Sequence, residues 1–387
     1  MVASQMSSGI VDAGQRVGAS PDRPNFITLD ERALPTVGAA RIYVCGITPY
    51  DVTHVGHAAT FVWADVLASV LGSTAVRATV CRNITDVDDV LIDAARARGR
   101  YYDEFALSQE AMFEQSMAAL RVATPATQPR ARHYIDAVQQ LAQALLDSGA
   151  AYARDGTVWF RGNSMAAFVA LPREDALRLS ADYGDDPDNI AKDDPFDVPV
   201  WQSSADGAPA WPSPWGWGRP GWHAECAAMA MAVHGNSVDV LVGGEDLAFP
   251  HHAYQAAMVS AVSGVTPFAR AVLHIGEVRI SGKKMAKSTG NLVLIDELLE
   301  LYTPAALRLL LLSRPYSKAW DFERGEIDDA ERRVERLHQA ASRSTDANPE
   351  GVMAALRTNL DVPAALALAE DQGGEAAKRA IAVLRLT

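Results

Sequence analysis

Two short stretches of the chain combine residue types that suit chemistry on a phosphate group. His54 and His57 stand three residues apart near the start, and their imidazoles are hydrogen-bond donors. Lys284 and Lys287 stand three residues apart much later, in a segment bordered by glycine and serine. Lysines of this kind neutralise the charge that develops on a reacting phosphate and on departing pyrophosphate. Taken alone, such histidines are more often loop or cap residues and such lysines a solvated basic turn, so the two pairs carry meaning only together.

The sequence around the histidines predicts strands and helices that alternate. Residues 41–46 and 75–82 indicate short strands, and helical patterns follow over residues 57–71 and through Ala97. This alternation predicts a parallel sheet. Ligands of an open α/β sheet bind at the carboxyl ends of its strands. His57 begins the helix there, where backbone N–H groups and the helix dipole attract phosphate.

The rest of the chain adds helices, a hairpin and further strands. The expected elements are helical structure over 104–146, a hairpin over 152–160 that turns at Asp155-Gly156, strands over 237–242 and 271–275, a helix from about Pro250, and helices after Asn291. Residues 182–197 hold seven aspartates and are expected to form a solvated loop. Residues 199–222 carry five of the eight tryptophans and are expected to form a folded lid or loop.

Composition limits the class of protein. The 387 residues are 49% hydrophobic, which allows two or three domains and a large core. The net charge of −13 disfavours a nucleic-acid partner, because phosphates bind Lys and Arg. Three cysteines do not make a disulfide framework, so a reducing cytoplasm is expected. We find neither a secretory signal nor an apolar run of membrane-spanning length, and we expect a cytoplasmic monomer with no membrane partner.

Six motifs in order resemble those of the class I aminoacyl-tRNA synthetases, and of the cysteinyl-tRNA synthetase family in particular. Residues 53–57 (T-H-V-G-H) and 282–288 (G-K-K-M-A-K-S) are similar to the HIGH and KMSKS motifs. The other four resemble C-G-P-T-V-Y-D, R-N-I-T-D-x-D-D, G-W-H-I-E-C and G-G-x-D-L-x-F-P-H-H, and they are residues 45–51, 82–89, 221–226 and 243–252. Such an ordered set is specific, unlike any one motif alone.

The resemblance implies an α/β fold with a Rossmann-like (HUP-type) parallel-sheet catalytic domain, an inserted connective subdomain and a C-terminal α-helical bundle. The expected divisions are an N-terminal arm (1–35), the first half of the catalytic domain (36–125), the insertion (126–215), the second half (216–275), a KMSKS-like loop and stem-contact region (276–315) and the C-terminal helical domain (316–387).

The resemblance also implies a zinc ion that binds the thiolate of the substrate cysteine. Its ligands would be Cys45, Cys226 and His251, a set that suits Zn²⁺ and leaves one tetrahedral position open. Outside the motif context the three residues would be unconnected, with the cysteines buried as small apolar groups. The family's fourth ligand is a glutamate four residues after the histidine. Gln255 stands there, which removes one negative charge and argues against a four-ligand site.

A further implication is a site for ATP, with Mg²⁺, and for cysteinyl adenylate. The catalytic residues would be His54, His57, Lys284 and Lys287. The residues expected to contact the amino acid, phosphate, ribose and adenine are Cys45, Gly46, Ile47, Thr48, Thr60, Asn83, Ile84, Thr85, Trp222, Gly244, Glu245, Asp246 and Val278. Asp246 is also compatible with a structural cap and Trp222 with a core position.

Departures from the synthetases predict a different cysteine acceptor. Only 99 residues follow Ser288, and the segment from Glu331 onward has eight basic residues, eight acidic residues and no aromatic one, a poor platform for reading tRNA. With Ala286 and Gln255, these features resemble the cysteine ligases of mycothiol biosynthesis. Those enzymes join L-cysteine to glucosaminyl-inositol (1D-myo-inositol 2-amino-2-deoxy-α-D-glucopyranoside).

The predicted reaction is therefore ATP-dependent amide formation through cysteinyl-AMP, with L-cysteine, ATP and glucosaminyl-inositol as substrates. Asp246 and His223 are candidate bases for the amine. The acceptor pocket is expected between the acidic 182–197 segment and the C-terminal helices. A cysteinyl-tRNA synthetase is the alternative, and a nucleotidylyltransferase and a catalytically silent adenylate-binding paralogue are further alternatives.

Overall fold

The computed structural model describes residue 10 and residues 27–50, 53–204, 207–285 and 290–387. Most of the expected N-terminal arm and the candidate catalytic Lys287 lie outside these residues. The described strands are β1 (Ile27–Leu29), β2 (Arg32–Leu34), β3 (Ala39–Ile47), β4 (Arg77–Ile84), β5 (Ala151–Arg154), β6 (Thr157–Phe160), β7 (Val198–Ser203), β8 (Gly218–Pro220), β9 (Val238–Gly244), β10 (Ala269–Ile275), β11 (Val278–Ile280), β12 (Lys283–Lys284) and β13 (Trp320–Asp321).

The helices are also numbered in the order in which they occur along the chain. They are α1 (Val55–Ser73), α2 (Asp89–Ala97), α3 (Tyr102–Ala119), α4 (Ile135–Asp147), α5 (Met165–Phe168), α6 (Arg173–Asp182), α7 (Trp222–His234), α8 (Ala253–Ser263), α9 (Ile295–Leu299), α10 (Pro304–Leu312), α11 (Gly325–Ala341), α12 (Glu350–Arg357), α13 (Val362–Gln372) and α14 (Gly374–Leu384). An irregular turn, Ala248–His252, leads into α8.

A four-stranded parallel sheet forms the centre of the catalytic region, in the order β10-β9-β3-β4. Val240 of β9 pairs with Ile42 of β3 on one side and with Ala271 of β10 on the other. The central strands are buried and rich in Val, Ile and Leu, as expected when helices cover both faces of a parallel sheet. The predicted α/β class and parallel sheet are confirmed.

Helix α1 follows β3 and belongs to the core. Trp63 at its centre is buried and donates a hydrogen bond from Nε1 to the carbonyl oxygen of Leu311 (3.2 Å). By length and composition α1 could cross a membrane, whereas the sequence reading found no apolar run of that length. However, 72% of its apolar window is buried inside the protein, so we interpret it as a core helix.

A second sheet is antiparallel, with the strand order β5-β6-β7-β8. The predicted hairpin joins β5 to β6, and Asp155 (φ 51°) and Gly156 (φ 78°) form its turn. Two consecutive positive φ angles are what a two-residue hairpin turn requires. The described part of the tryptophan-rich segment is folded as expected, and it supplies the buried Trp201 of β7.

The aspartate-rich segment is more than the solvated loop that we expected. Asp197 is buried and accepts hydrogen bonds from the backbone N–H of Gly162 (2.8 Å) and from the hydroxyl of Tyr152 (2.7 Å). Asp185 accepts a hydrogen bond from Lys192 Nζ (2.6 Å). The expectation is wrong for these two residues because hydrogen-bond donors, which a charge count does not reveal, bond to both oxygens of Asp197 and to one oxygen of Asp185.

The helical structure expected over 104–146 is interrupted. Helices α3 and α4 are separated by an extended stretch that runs beside β4, where the carbonyl of Val80 accepts from the N–H of Ala126 (2.9 Å) and that of Pro129 from the N–H of Ile84 (2.9 Å). Pro125 and Pro129 lie in this stretch, and proline lacks the N–H that a helix interior needs.

Helices α11 to α14 form the predicted C-terminal bundle, which packs against α1 and α10. The contact includes a buried ion pair between Arg308 of α10 and Asp65 of α1. Arg308 also donates from Nε to the carbonyl of Leu384 (2.6 Å) and from Nη1 to that of Leu120 (2.9 Å). One guanidinium thus connects the catalytic core to the last helix.

Candidate active site

The carboxyl ends of β3 and β4 form the floor of the site. The pairing of the two strands shifts register between Val44 and Ile47, which sets Cys45 and Gly46 in a bulge. A Cβ at Gly46 would lie 1.7 Å from the carbonyl oxygen of Asn83, so only glycine fits there. Asn83 Oδ1 accepts from the N–H of Gly46 (3.0 Å), and its Nδ2 donates to Cys226 Sγ (3.2 Å). Asn83 thereby holds the strand end against α7.

Cys45, Cys226 and His251 meet in one buried cluster. Their ligand atoms all lie within 4.8 Å of one another, although the residues come from β3, α7 and the turn before α8. The sequence prediction named these three residues as ligands, and the fold brings them together. Thiolate and imidazole are the donors that Zn²⁺ prefers, so the donor set fits that ion.

The two cysteines of the cluster differ in acidity. Burial opposes a thiolate at Cys45, but a hydrogen bond from Cys226 and the adjacent His252 hold the pKa of Cys45 well below its ordinary value. Burial, together with the hydrogen bond to Cys45, raises the pKa of Cys226. The arrangement therefore favours a thiolate at Cys45, and thiolates are the form of cysteine that binds metals.

Further imidazoles surround the cluster. His252 Nε2 lies 3.2 Å from Cys45 Sγ, and its Nδ1 lies 2.9 Å from His274 Nε2. His223 Nδ1 lies 2.9 Å from His251 Nδ1. Burial lowers the pKa of His251, and the neutral imidazole keeps a lone pair for a metal. The sequence reading gave no role to His252 and His274, although His252 stands inside the F-P-H-H motif.

Gln255 fills the position where the synthetases have a glutamate ligand. Its Nε2 donates to Cys45 Sγ (3.2 Å) and lies 2.8 Å from His251 Nε2. Within the described part of the chain, its Oε1 has no hydrogen-bond partner. A neutral amide adds no charge, so the cluster offers two thiolates and one imidazole, which together neutralise a divalent cation.

A cavity of about 780 Å³ opens above the cluster, a size typical of small-molecule sites. Most of the predicted site residues line it, and they are Cys45, Gly46, Ile47, Thr48, His54, His57, Thr60, Asn83, Thr85, Trp222, Cys226, Gly244, Asp246, His251, Val278 and Lys284. Ile84 is instead packed in the core, and Glu245 accepts from the N–H of Glu277 (3.0 Å). In the described part of the chain, residues of the 182–197 segment line this cavity but the C-terminal helices do not. The location of the acceptor pocket stays a prediction.

The histidine pair stands at the start of α1, as predicted. His54 is the N-cap and accepts from the N–H of His57 at Nδ1 (3.4 Å), and the two ring centroids are 3.9 Å apart. Burial, followed by the charges of His57 and Lys284, lowers the pKa of His54 to about 2. His54 is therefore a neutral hydrogen-bonding group beside the positive end of the helix dipole.

Lys284 reaches across the cavity to the opposite wall. Its Nζ lies 2.6 Å from Asp246 Oδ2 and 3.5 Å from the hydroxyl of Tyr183. Although burial lowers the pKa of Lys284, the Asp246 carboxylate raises it overall. Tyr183 in turn stacks on Trp222 (6.2 Å between centroids), and Trp222 stacks on His251 (4.0 Å). A continuous series of contacts thus joins the cysteine–histidine cluster to Lys284.

Comparison with known proteins identifies the family. A family model described as "tRNA synthetases class I (C) catalytic domain" matches residues 34–332. A Streptomyces griseus protein named L-cysteine:1D-myo-inositol 2-amino-2-deoxy-alpha-D-glucopyranoside ligase is 43% identical over 343 residues, which cover 85% of this chain and 82% of that one. The chain belongs to this family of class I synthetase-like ligases. The predicted resemblance is confirmed.

Other relatives and solved structures agree. Proteins with the same name from Kribbella flavida and Acidothermus cellulolyticus are 41% identical over 348 residues (87% of this chain, 85% of the relative) and 39% identical over 365 residues (90% and 89%). The structure is similar to Mycobacterium tuberculosis methionyl-tRNA synthetase in complex with methionyl-adenylate, with a TM-score of 0.62 at 16% identity over 90% of this chain and 82% of that one. The latter likeness shows the fold alone.

Proposed function

We propose that the protein is an ATP-dependent ligase that joins L-cysteine to the amine of glucosaminyl-inositol in mycothiol biosynthesis. The observation that carries the proposal is the single cavity that holds a thiolate–imidazole cluster on its floor and the histidine pair and Lys284 on its walls. Such a cavity suits a substrate with a thiol at one end and a reacting phosphate at the other. Relatives at 38–43% identity carry the corresponding ligase name.

The cluster is proposed to select cysteine. Cys45, Cys226 and His251 would hold Zn²⁺ and leave its fourth position open. Bound there, Zn²⁺ would supply thiol recognition, because a coordinated cysteine thiol loses its proton whereas a serine hydroxyl does not ionise at neutral pH. Gln255 supplies no negative charge there, and we propose that the substrate thiolate takes that position. A site that reads a distinctive group in this way discriminates strongly without editing.

The adenylation step is proposed to use the upper walls of the cavity. A carboxylate oxygen of cysteine attacks the α-phosphorus of ATP, and the bond from that phosphorus to pyrophosphate breaks. The imidazoles of His54 and His57 and the N-terminus of α1 would stabilise the phosphate oxygens. Lys284 would exchange Asp246 for the phosphates, and Lys287 is proposed to act with it.

The transfer step needs a free amine. The acceptor nitrogen attacks the carbonyl carbon of cysteinyl-AMP, the bond to AMP breaks, and the amine loses a proton. Asp246 and His223 both line the cavity and are the candidate bases. The lowered pKa of Asp246, which burial opposes and the adjacent Lys284 causes, makes it a weak base while the ion pair holds.

The remaining parts of the proposal concern the setting of the enzyme. We propose that it acts in the cytoplasm as a monomer, and its described cysteines are free and buried, as suits a reducing compartment. We also propose the domain boundaries predicted from the sequence, which place the two halves of the catalytic domain at residues 36–125 and 216–275, the insertion at 126–215 and the KMSKS-like region at 276–315. The Mg²⁺ that accompanies ATP belongs to the substrate.

Two assays test the proposal in sequence. The first measures exchange of labelled pyrophosphate into ATP, which is expected to require cysteine and to fail with serine. The second supplies ATP and cysteine with either glucosaminyl-inositol or tRNA. We expect an amide product and stoichiometric AMP with the amino sugar alone. Transfer to tRNA at a comparable rate would contradict the proposal and favour a cysteinyl-tRNA synthetase.

A further inference from the structure

One wall of the cavity comes from the inserted segment and lies outside all six sequence motifs. It consists of the last turn of α6 and the loop that follows it. The lining residues are Ser180, Asp182, Tyr183, Gly184 and Asp185. None of them belongs to the metal cluster or to the phosphate-binding histidines and lysine. The proposed mechanism of cysteine activation therefore gives these residues no role.

Two oxygen atoms of this wall are buried and lack a partner within the described residues. Ser180 is 1% exposed, and its Oγ accepts and donates no hydrogen bond. Asp185 uses Oδ1 to accept from Lys192, whose side chain is buried, and its Oδ2 has no partner. Buried polar groups in native proteins are nearly always hydrogen-bonded, so these two oxygen atoms are available to bond a ligand that enters the cavity.

The wall is fixed in position relative to the reacting groups. The N–H of Asp185 donates to the carbonyl of Ser180 (3.2 Å), which closes the turn between them. Tyr183 stacks on Trp222, and α6 packs against the turn Ala248–His252 that carries the metal ligand His251. A ligand bound on this wall would therefore lie beside the cysteine end of the cavity.

The unpaired groups match the chemistry of a polyhydroxylated molecule. A sugar hydroxyl donates to a carboxylate oxygen such as Asp185 Oδ2 and accepts from a serine hydroxyl such as that of Ser180. A site built to bond hydroxyl groups also rejects analogues that lack them, since its buried polar groups are then left unpaired.

We propose that Ser180 and Asp185 form the subsite that binds hydroxyl groups of the amine-bearing acceptor and orients its nitrogen toward the cysteinyl carbonyl. The inference rests on the proposed function, which makes the acceptor an amino sugar. The inference adds to that function the two residues that recognise the acceptor. The subsite acts in the transfer step alone, because Ser180 and Asp185 are not among the residues proposed to bind cysteine and ATP.

The test compares three single substitutions in the intact protein. Ser180→Ala removes one hydroxyl, and Asp185→Asn removes the carboxylate charge while keeping the shape. Asp186→Asn makes the same chemical change on an exposed neighbour that does not line the cavity. Each protein is assayed for cysteine-dependent pyrophosphate exchange, which involves no acceptor, and for amide formation over a range of glucosaminyl-inositol concentrations.

We expect Ser180→Ala and Asp185→Asn each to raise the KM for glucosaminyl-inositol by about 3- to 10-fold, the usual effect of one lost hydrogen bond. The exchange rate should change less than twofold, and Asp186→Asn should match the unaltered protein in both assays. An unchanged acceptor KM in Ser180→Ala would overturn the inference. So would a parallel loss of exchange and amide formation in both cavity variants, because that pattern indicates a structural role.

The same experiment separates this inference from the proposed function. If the unaltered protein exchanges pyrophosphate but forms no amide with glucosaminyl-inositol, the acceptor assignment itself fails, and the inference fails with it. If the unaltered protein forms the amide and the acceptor KM is the same in all variants, only the subsite assignment fails. A second acceptor, glucosamine without the inositol, shows which part of the acceptor the wall contacts. If the wall binds the inositol, the KM for glucosamine should be the same in all variants.

Discussion

At the residue scale, sequence motifs alone predict the cluster of Cys45, Cys226 and His251. The three residues are separated by up to 206 positions, yet their ligand atoms come within 4.8 Å. Sequence motifs supplied the triad because its chemistry requires these residue types. They did not predict the contact between Gln255 and Cys45. The motif shows only that a glutamine stands where the synthetases have a glutamate, and it does not show what the glutamine contacts.

Metal content tests the triad directly. Cys226→Ala removes one thiolate, so we expect the protein to fold, to lose its zinc and to lose cysteine-dependent exchange together. Cys81→Ala is the matched control, since Cys81 is also buried but lies outside the cluster. Elemental analysis of both variants checks the prediction. Full zinc content in Cys226→Ala would show that the ion is held elsewhere.

The pH dependence of adenylation tests the state of His54. Its pKa is lowered to about 2, so the ring is already neutral at pH 5 and stays neutral as the pH rises. We expect the exchange rate of His54→Asn, which keeps an N-cap residue, to be lower than that of the unaltered protein at every pH. The shape of its pH–rate profile between pH 5 and 8 should be unchanged. An inflection near pH 6 that disappears in the variant would contradict a neutral His54.

At the element scale, the sequence was most informative where one interaction decides the structure. The Asp155-Gly156 turn and the alternation of strands and helices depend on local backbone preferences, and both were predicted correctly. The aspartate-rich loop was not, because the role of Asp197 depends on donors from Tyr152 and Gly162 that lie 45 and 35 positions away. Long-range satisfaction of a buried charge has no signature in local composition.

The stack of Tyr183 on Trp222 gives an element-scale prediction, since it joins the loop after α6 to α7. Tyr183→Leu removes the aromatic contact, and we expect the KM for cysteine in the exchange assay to rise by about 2- to 10-fold, the usual value of an aromatic pair. Tyr183→Phe keeps the ring and loses only the hydroxyl near Lys284, so its KM for cysteine should be unchanged. Equal KM values for the two variants would show that the stack does not support cysteine binding.

At the scale of the whole molecule, the C-terminal bundle is part of the catalytic unit's core. Arg308 is fully buried, pairs with Asp65 and binds carbonyl groups of Leu120 and Leu384. The sequence identified the C-terminal helices but could not show this connection, because a single arginine in the apolar run of α10 gives no indication of its partner. The pair therefore couples unfolding of the bundle to unfolding of α1, and His54 and His57 lie at the start of that helix.

Removal of Asp65 tests that connection. Asp65→Ala leaves the Arg308 guanidinium buried without its counter-ion, and breaking a buried pair in this way costs roughly 3–5 kcal/mol. We expect the free energy of unfolding in urea to fall by about that amount. The transition should stay single, because bundle and core unfold together. Glu375→Ala is the control, since it removes an exposed partner of Lys378 and should leave the unfolding curve close to that of the unaltered protein. A second, earlier transition in Asp65→Ala would instead show that the C-terminal helices unfold independently of the catalytic sheet.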